Sequence, residues 1–255
     1  MSEEPSGRHA DVLRSEFERA APTFTDRTRG RFDHLEAVAF SRVGPGATVL
    51  EVGAGTGHFI SRFAGQGRTL VAADLIPAML VQARIENLEM HVVVADGARV
   101  PIADRSVDLC ACAQMLHHVW EPIPLLTEMK RVTSSDGHVL VVDQSATERF
   151  EEIVAMTALE TLRDPSHAAS RPPPAFRLML RYVGLEVVDE KLTESEQRLS
   201  SWMWPGEFPE DRIEAVRRFI AERGSETGMG FERDGDDWVF VRRRIMLLAR
   251  RVLRR

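Results

Sequence analysis

Residues 48–57 read Thr-Val-Leu-Glu-Val-Gly-Ala-Gly-Thr-Gly, an apolar segment that runs directly into glycines at every second position. Short apolar segments of this kind are typical of buried parallel strands, which bind ligands beyond their carboxyl ends in open α/β sheets. Glycines at such a strand end allow the backbone to approach a ligand closely. The segment therefore predicts a strand followed by a cofactor-binding turn at Gly53, Gly55 and Gly57.

The spacing of these glycines bears on which nucleotide cofactor the turn binds. A dinucleotide-binding turn has the pattern Gly-x-Gly-x-x-Gly, and here the position of its third glycine is occupied by His58. Nicotinamide cofactors are therefore disfavoured. Two carboxylates accompany the turn: Glu51 lies inside the strand, and Asp74 ends the next apolar segment, 21 residues after Gly53. A carboxylate at the second position can bind ribose hydroxyls.

Further motifs follow the glycine turn in a fixed order. They are Asp96-Gly97 after the apolar residues 92–95, Val107-Asp108-Leu109, Leu116-His117-His118-Val119, the helical segment 128–132, and the turn Asp136-Gly137 before the apolar residues 139–142. With these motifs, the stretch from Thr48 to about Gln144 resembles the S-adenosylmethionine-dependent methyltransferases. The resemblance is to the small-molecule group that includes the ubiquinone and menaquinone C-methyltransferases.

The resemblance implies a Rossmann-like methyltransferase fold of the α/β class. Such a fold has a seven-stranded, mostly parallel sheet with an antiparallel last strand and helices on both faces. The regular alternation of strand-like and helical segments also predicts a parallel sheet. We expect one domain over residues 1–255, with an N-terminal helical cap at 1–45, a cofactor-binding core at 46–145, and substrate-side elements and the last strands at 146–255. The N-terminal helices and an insertion between the last strands are expected to form a lid.

Three local patterns give more detailed expectations. The apolar periodicity of residues 12–43 predicts helices interrupted near Pro22 and Thr23, because proline disfavours helix interiors. Phe59, Ile60 and Phe63 predict a helical face directly after the glycine turn. Seven arginines lie in the last fourteen residues, around an apolar segment. This end of the chain is predicted to be the antiparallel strand of the resembling family, with a membrane-surface helix as the alternative.

The resemblance implies S-adenosylmethionine as the cofactor and assigns parts of it to particular residues. Asp96 is expected to meet the adenine amino group, while Gln114 and Met115 lie along the methionyl side. Glu51 can stabilise the methionyl amino group. Phe24 stands where many relatives have a tyrosine, so its aromatic face can meet the sulfonium without a hydroxyl contact. The complete predicted cofactor site comprises Phe24, Glu51, Gly53, Ala54, Gly55, Gly57, Asp74, Leu75, Asp96, Gly97, Gln114 and Met115.

Three histidines are candidate catalytic residues. His117 and His118 directly follow the predicted fourth strand, at the mouth of the expected cleft. His167 lies in the segment Asp164-Pro165-Ser166-His167, a motif that also recurs in the resembling group. An acceptor that is a phenol or a carbon acid must lose a proton, and histidine is the side chain best matched to neutral pH. The alternative is that these histidines have capping or packing roles.

Composition excludes several classes of protein. The net charge of -6 and the isoelectric point near 5.8 disfavour a nucleic-acid substrate, which requires a clustered basic face. Cys110 and Cys112 would point to the same side of a strand as buried thiols, and no metal site is predicted. The sequence has neither an 18-residue apolar run nor a secretion signal, which indicates a cytoplasmic protein without a membrane span. The chain could be a monomer or a homodimer.

These observations predict a methyltransferase that acts on oxygen or carbon of an apolar small molecule. Methionine and aromatic residues are frequent after Gln144, which fits a flat quinone-, aromatic- or polyketide-like acceptor. A protein that keeps the cofactor but catalyses a rearrangement or cyclisation, or only binds ligands, is the alternative. No residue in the sequence separates these two readings.

Overall fold

The computed structural model describes residues 5–203 and 208–252 of the chain. Its strands are β1 Thr48–Val52, β2 Thr69–Asp74, β3 His91–Val94, β4 Val107–Ala113, β5 Thr133–Gln144, β6 Leu185–Arg198, β7 Glu232–Asp234 and β8 Asp237–Arg251. Its α-helices are α1 Pro5–Thr28, α2 Ala37–Ser41, α3 Pro77–Glu86, α4 Pro122–Val132, α5 Phe150–Arg163, α6 Pro173–Tyr182, α7 Leu199–Trp202 and α8 Glu210–Arg223.

The strands form one sheet in the order β3-β2-β1-β4-β5-β8-β6, with β7 paired to β8 beside this path. Strands β1 to β5 pair in parallel, whereas β8 is antiparallel to both β5 and β6. This arrangement confirms the predicted Rossmann-like fold with its antiparallel last strand. The short strand β7 adds an eighth strand to the predicted seven. It forms a tight hairpin with β8, in which Gly235 adopts a φ of +60°.

Side chains alternate across the sheet and build a core on each face. Leu109 and Ala111 of β4 belong to one buried cluster, while Cys110 and Cys112 belong to the cluster on the opposite face. Both thiols are buried, as the sequence predicts, because residues two apart in a strand share a face. The two-sided burial of the central strands explains why their sequences are apolar throughout.

Helix α1 continues through Pro22, so the predicted interruption at this residue is wrong. Ala20 and Ala21, directly before the proline, are buried against Ile76 and Met79 at the start of α3. This packing holds the helix together across the backbone hydrogen bond that proline cannot donate. The continuous α1 reaches the carboxyl ends of the strands and covers them.

The segment after the glycine turn is shorter than the sequence suggests. Residues Ile60–Phe63 form a 3-10 helix where an α-helical face is expected. Gly57 and Gly65, with φ values of +75° and +91°, depart from helical geometry on both sides of this segment and limit its length. Phe59, Ile60 and Phe63 are nevertheless fully buried in the core.

An insertion between β6 and β8 contains α7, α8 and β7. Val216 and Ile220 of α8 are buried and join Trp202 and Phe240 in a third core that packs against α5. Arg212 of α8 lies 3.6 Å from Glu16 of α1, so the insertion also meets the N-terminal helix. The chain end forms β8, which rules out the alternative of a membrane-surface helix there.

Candidate active site

A cavity of about 410 Å³ lies at the carboxyl ends of β1, β2, β4 and β5. Most of the predicted site residues line it: Phe24, Glu51, Gly53, Ala54, Gly55, Asp74, Leu75, Asp96, Gly97, Gln114, Met115, His117 and His118. Gly57 and His167 are not among the lining residues. A side chain on Gly57 would meet Met90 and Ala83 in the core, so this glycine shapes the turn from behind. Helix α1 closes the cavity on its open side through residues such as Phe17.

The glycine turn needs glycine at Gly53 for two reasons. Its φ of +70° is unfavourable for other residues, and an added Cβ would collide with the side chain of Met115. Gly97 is equally enclosed, because a Cβ there would lie 2.6 Å from Leu125 and 2.8 Å from Val52. These contacts bring the loops after β1, β3 and β4 together around one end of the cavity.

Two buried carboxylates stabilise the turn through its backbone. Glu51 is 1% exposed, and one of its oxygens accepts a hydrogen bond of 3.0 Å from the Ile60 N–H. Asp74 accepts hydrogen bonds from the N–H groups of Gly55 at 2.7 Å and Ile76 at 2.8 Å. Burial raises the pKa of both groups above their ordinary values, and Asp74 contributes to the rise at Glu51. A cationic ligand group in the cavity would therefore be stabilised by this pair.

Two other predicted cofactor residues, Asp96 and Phe24, make fewer contacts with the glycine turn. Asp96 is exposed, and its carboxylate accepts a hydrogen bond of 2.9 Å from the Ala98 N–H within its own turn. The Phe24 ring packs edge-on against Phe17, with 6.0 Å between the ring centroids. It also lies beside Gly55, where a Cβ would approach it to 3.8 Å.

Gln114 has unusual backbone and side-chain geometry. Its φ of +54° is rare for a residue with a side chain, and such strain is concentrated at functional sites. Its side-chain oxygen accepts a hydrogen bond of 2.8 Å from Arg31, whereas its buried Nε2 has no acceptor among the residues that the structure describes. A ligand acceptor group near Gln114 would satisfy this donor.

The imidazole of His117 is held by Asp143. Nδ1 of His117 lies 2.6 Å from one carboxylate oxygen of Asp143, and the His117 N–H donates to the other oxygen at 3.1 Å. Asp143 has no exposed surface, and its carboxylate also accepts a hydrogen bond of 2.7 Å from the Gln144 N–H. Burial raises the pKa of Asp143, but these backbone donors and the nearby His118 oppose the rise.

We assign the proton of this pair to Nδ1 of His117, because an ionised carboxylate is the best acceptor for three N–H groups. The other ring nitrogen, Nε2, then carries the lone pair. Burial and the imidazoles of His118 and His167 lower the pKa of His117 well below its ordinary value. His117 is therefore a neutral imidazole at the cavity wall, with a fixed tautomer.

His118 is fixed by a second chain of hydrogen bonds. Its Nδ1 lies 3.0 Å from both the carbonyl oxygen and the hydroxyl of Ser166. Because the carbonyl can only accept, Nδ1 carries the proton here as well. The Ser166 hydroxyl in turn donates to Asp164 at 2.6 Å. The edge of the Phe17 ring packs against His118, with 5.1 Å between centroids.

His167 lies behind His117, with 5.6 Å between the two ring centroids. It is 4% exposed, and its ring nitrogens lie 3.4 Å from Nε2 of Gln144 and 3.2 Å from the hydroxyl of Ser170. Burial lowers its pKa to about 4. His167 therefore joins His117 and His118 in one cluster of histidines. It does not line the cavity, so it is not placed to contact a substrate directly.

Several residues in and around the cavity could not be recognised as site residues from a sequence motif. Asp143 follows four apolar residues of β5, and only its position at the strand end suggests a role. Arg31, Arg163 and Arg242 line the cavity from three distant parts of the chain. The charge of these arginines could be read from the sequence, but their convergence depends on the fold.

Residues 5–203 and 208–252 contain no group of three or more His, Cys, Asp or Glu side chains that could hold a metal ion. No helix in the same ranges is both long and apolar enough to cross a membrane.

Comparison with known proteins finds similarity to methyltransferases. Residues 50–141 match the family model of a methyltransferase domain. The chain is 28% identical over 177 residues to the uncharacterized methyltransferase YcgJ of Bacillus subtilis, covering 66% of this chain and 68% of that protein. It is 32% identical over 148 residues to demethylmenaquinone methyltransferase of Mycobacterium sp. strain KMS, covering 57% of this chain and 64% of the relative.

Solved structures show the same fold. The crystal structure of YcgJ superposes with a TM-score of 0.75 at 20% identity, covering 86% of this chain and 97% of that one. Geranyl diphosphate C-methyltransferase of Streptomyces coelicolor, in complex with Mg²⁺, geranyl diphosphate and S-adenosyl-L-homocysteine, superposes with a TM-score of 0.60 at 12% identity, covering 88% and 81% of the two chains. The matched domain and these relatives support a methyltransferase that depends on S-adenosylmethionine, and the solved structures show that the chain has the methyltransferase fold.

Proposed function

We propose that this methyltransferase transfers the methyl group of S-adenosylmethionine to oxygen or carbon of an apolar small molecule, with His117 as the general base. One observation carries the proposal: the same cavity is lined by the buried carboxylates Glu51 and Asp74 at one side and by the Asp143-bound His117 at the other. A cofactor at the carboxylates and an acceptor at the imidazole would therefore share one enclosed space.

The residues at the glycine turn fit the cofactor. Gly53 leaves a space that a side chain would fill. Asp74 accepts a hydrogen bond from the turn and has further oxygen lone pairs that can accept from ribose hydroxyls. Glu51 is suited to the methionyl amino group, and the Nε2 donor of Gln114 is suited to an acceptor on the methionyl moiety. Asp96 and Gly97 would contact the adenine, with Leu75 beside them. When bound, the cofactor supplies an electrophilic methyl group on a positively charged sulfur.

His117 would remove the proton that a phenol or carbon acid must lose. Its Nε2 carries the lone pair, and its low pKa keeps the ring neutral near pH 7. Asp143 would hold the ring in the reactive tautomer and stabilise the imidazolium that forms. His118 lies 4.1 Å from His117 between ring centroids and would orient the acceptor, while His167 would support the cluster from behind.

The remaining rate enhancement would come from positioning. Methyl transfer requires the nucleophile, the methyl carbon and the sulfur on one axis, and a dry enclosure favours this alignment. Phe17 and Phe24 of α1 supply apolar surface over the cavity, and Phe208 of the insertion adds more. We propose that residues 1–45 and 146–255 enclose the acceptor, while residues 46–145 bind the cofactor within a single domain.

The proposal is tested by methyl transfer from S-adenosylmethionine carrying a radiolabelled methyl group. The protein is incubated with small-molecule extracts of cells that produce it, and the extracted products are counted for label. Label in a small apolar product supports the proposal. Tight binding of S-adenosylhomocysteine without any labelled product would instead favour the alternative of a cofactor-binding protein that does not methylate.

A further inference from the structure

The charge of the cavity wall changes sign along the edge of the sheet. Glu51, next to the last residue of β1, and Asp74, the last residue of β2, lie at one side of the cavity. Arg163 at the end of α5 and Arg242 on β8 line the other side. His117 lies between them, because β4 and β5 separate β1 from β8 in the sheet. Two arginines therefore lie on the side that would hold the acceptor, although the chain as a whole has a net charge of -6.

A single buried carboxylate forms ion pairs with both of these arginines. Glu160 is 1% exposed, and its two oxygens lie 3.2 Å from Arg242 and 3.4 Å from Arg163. Charge-assisted hydrogen bonds are usually shorter, about 2.7–2.9 Å. Burial alone would raise the pKa of Glu160, but the two arginines outweigh it and hold the pKa below its ordinary value. One negative charge therefore faces two positive charges at this position.

A second carboxylate, Asp164, balances the charge of Arg163 at longer range and without a hydrogen bond. Asp164 lies 4.0 Å from Arg163, beyond hydrogen-bonding distance, and its other oxygen accepts from both the N–H and the hydroxyl of Ser166. Nε of Arg163 is buried and has no acceptor among residues 5–203 and 208–252. A buried charged donor without an acceptor is costly, which favours binding of an anion at this point.

Aromatic rings restrict how an anion could approach. The Arg163 guanidinium lies 4.7 Å from the Trp202 ring centroid and 5.7 Å from that of Phe208. Arg242 stacks on the same Trp202 ring at 5.5 Å. The N–H edges of the guanidinium groups that do not meet a ring remain for hydrogen bonding. These edges match a planar carboxylate, which can accept two parallel N–H bonds from one arginine.

We infer that the acceptor is an apolar molecule that carries a carboxylate, and that Arg163 and Arg242 bind this carboxylate while the atom to be methylated lies at His117. The inference rests on the proposed function and names the class of acceptor for the same site. The arginines anchor the acceptor at the end opposite the cofactor. They thereby set which molecules enter and which atom of the acceptor meets the methyl group.

The first test separates possible acceptors by charge before the reaction. A small-molecule extract is passed over an anion exchanger at neutral pH, and the retained and unretained fractions are each incubated with the protein and methyl-labelled S-adenosylmethionine. We expect label in the products of the retained fraction, both before and after its treatment with alkaline phosphatase. Label confined to the unretained fraction would overturn the inference while leaving methyl transfer intact. Loss of acceptor activity after phosphatase would also overturn it, because the anion would then be a phosphate ester.

The second test changes Arg163 and keeps Arg242 as the partner of Glu160. The Arg163→Gln variant should require at least about tenfold more of the retained fraction for half-maximal labelling, as expected for one charged hydrogen-bonding partner. Its affinity for S-adenosylhomocysteine should remain within about twofold of the wild type. Arg163→Lys, which keeps the charge, should recover part of the loss.

Arg149→Gln is the matched control, because Arg149 lies at the start of the same helix and its side chain is 76% exposed. This variant should behave as the wild type in both measurements. If Arg163→Gln leaves the half-saturating amount unchanged, Arg163 does not bind the acceptor. A parallel loss of S-adenosylhomocysteine affinity in Arg163→Gln would also overturn the inference, since it would indicate a structural role.

Discussion

His117 owes its proposed role to its neighbours as well as to its own ring. Asp143 fixes the tautomer through a 2.6 Å contact, and burial next to His118 and His167 lowers the pKa of the ring. The sequence predicts His117 as a candidate, because it follows an apolar strand. It does not predict Asp143, since the two residues are 26 positions apart and meet only where β4 and β5 lie side by side.

The Asp143→Asn substitution should abolish the base without disturbing the cofactor. An asparagine amide would place a donor at Nδ1 of His117 and move the ring proton to Nε2. We expect labelling at saturating acceptor to fall by about 100-fold or more, whereas S-adenosylhomocysteine affinity stays unchanged. Asp136→Asn, at an exposed position of the same strand, serves as the control. Equal rates for the two variants would remove His117 from the proposed mechanism.

The pH dependence of the reaction should follow from the lowered pKa of His117. Because the base is active when neutral and its pKa lies well below 6.5, the maximal rate should be level from about pH 8 down to about pH 6.5. Loss of activity should begin only at more acidic pH. Initial rates at saturating acceptor between pH 5 and 8 measure this profile. A decline centred near pH 6.5 would indicate an imidazole that is not buried as described.

Among the elements, the glycine turn is predicted best from the sequence and the parts around it less well. The motif from Thr48 to Gly57 identifies β1 and the turn, since both depend on local residues. Helix α1 is continuous at Pro22 and the segment after Gly57 is a short 3-10 helix, because tertiary packing and flanking glycines override the local pattern. The converging arginines of α5 and β8 likewise depend on the assembled sheet.

The Gly53→Ala substitution should test the packing of the turn separately from its backbone strain. Gly53 and Gly46 have φ values of +70° and +72°, but an added Cβ collides with Met115 at Gly53 and meets nothing within 4 Å at Gly46. Both alanines should cost about 1 kcal/mol of stability through backbone strain. Gly53→Ala should in addition weaken S-adenosylhomocysteine binding by at least about tenfold, measured by calorimetry. Similar affinities in the two variants would show that the turn does not form the cofactor cradle.

At the scale of the whole molecule, the buried histidines should make stability depend on pH. His167 has a pKa of about 4 in the folded protein, against 6.5 ordinarily. The unfolded chain therefore binds a proton that the folded protein does not bind between these values, and stability falls as pH decreases through this range. The shift corresponds to about 3 kcal/mol once pH falls below 4, and His117 adds a loss of the same sign.

Denaturant unfolding at pH 7.5 and pH 5 measures this effect. The wild type should lose about 2 kcal/mol more stability between these two pH values than the His167→Gln variant, which cannot titrate there. The comparison uses the change with pH, so a general destabilisation of the variant does not affect it. The same loss in both proteins would show that His167 is not buried in its neutral form.

The most direct measurement of the central claim is calorimetric titration of the protein and its Asp74→Ala variant with S-adenosylhomocysteine, beside a titration with NAD. The account predicts one S-adenosylhomocysteine site per chain, no tight NAD binding, and an affinity in the variant weakened by about 1.5–3 kcal/mol, or roughly 10- to 150-fold. Tight binding of NAD, or an S-adenosylhomocysteine affinity that is unchanged when Asp74 is removed, would contradict the assignment of this cavity as the cofactor site.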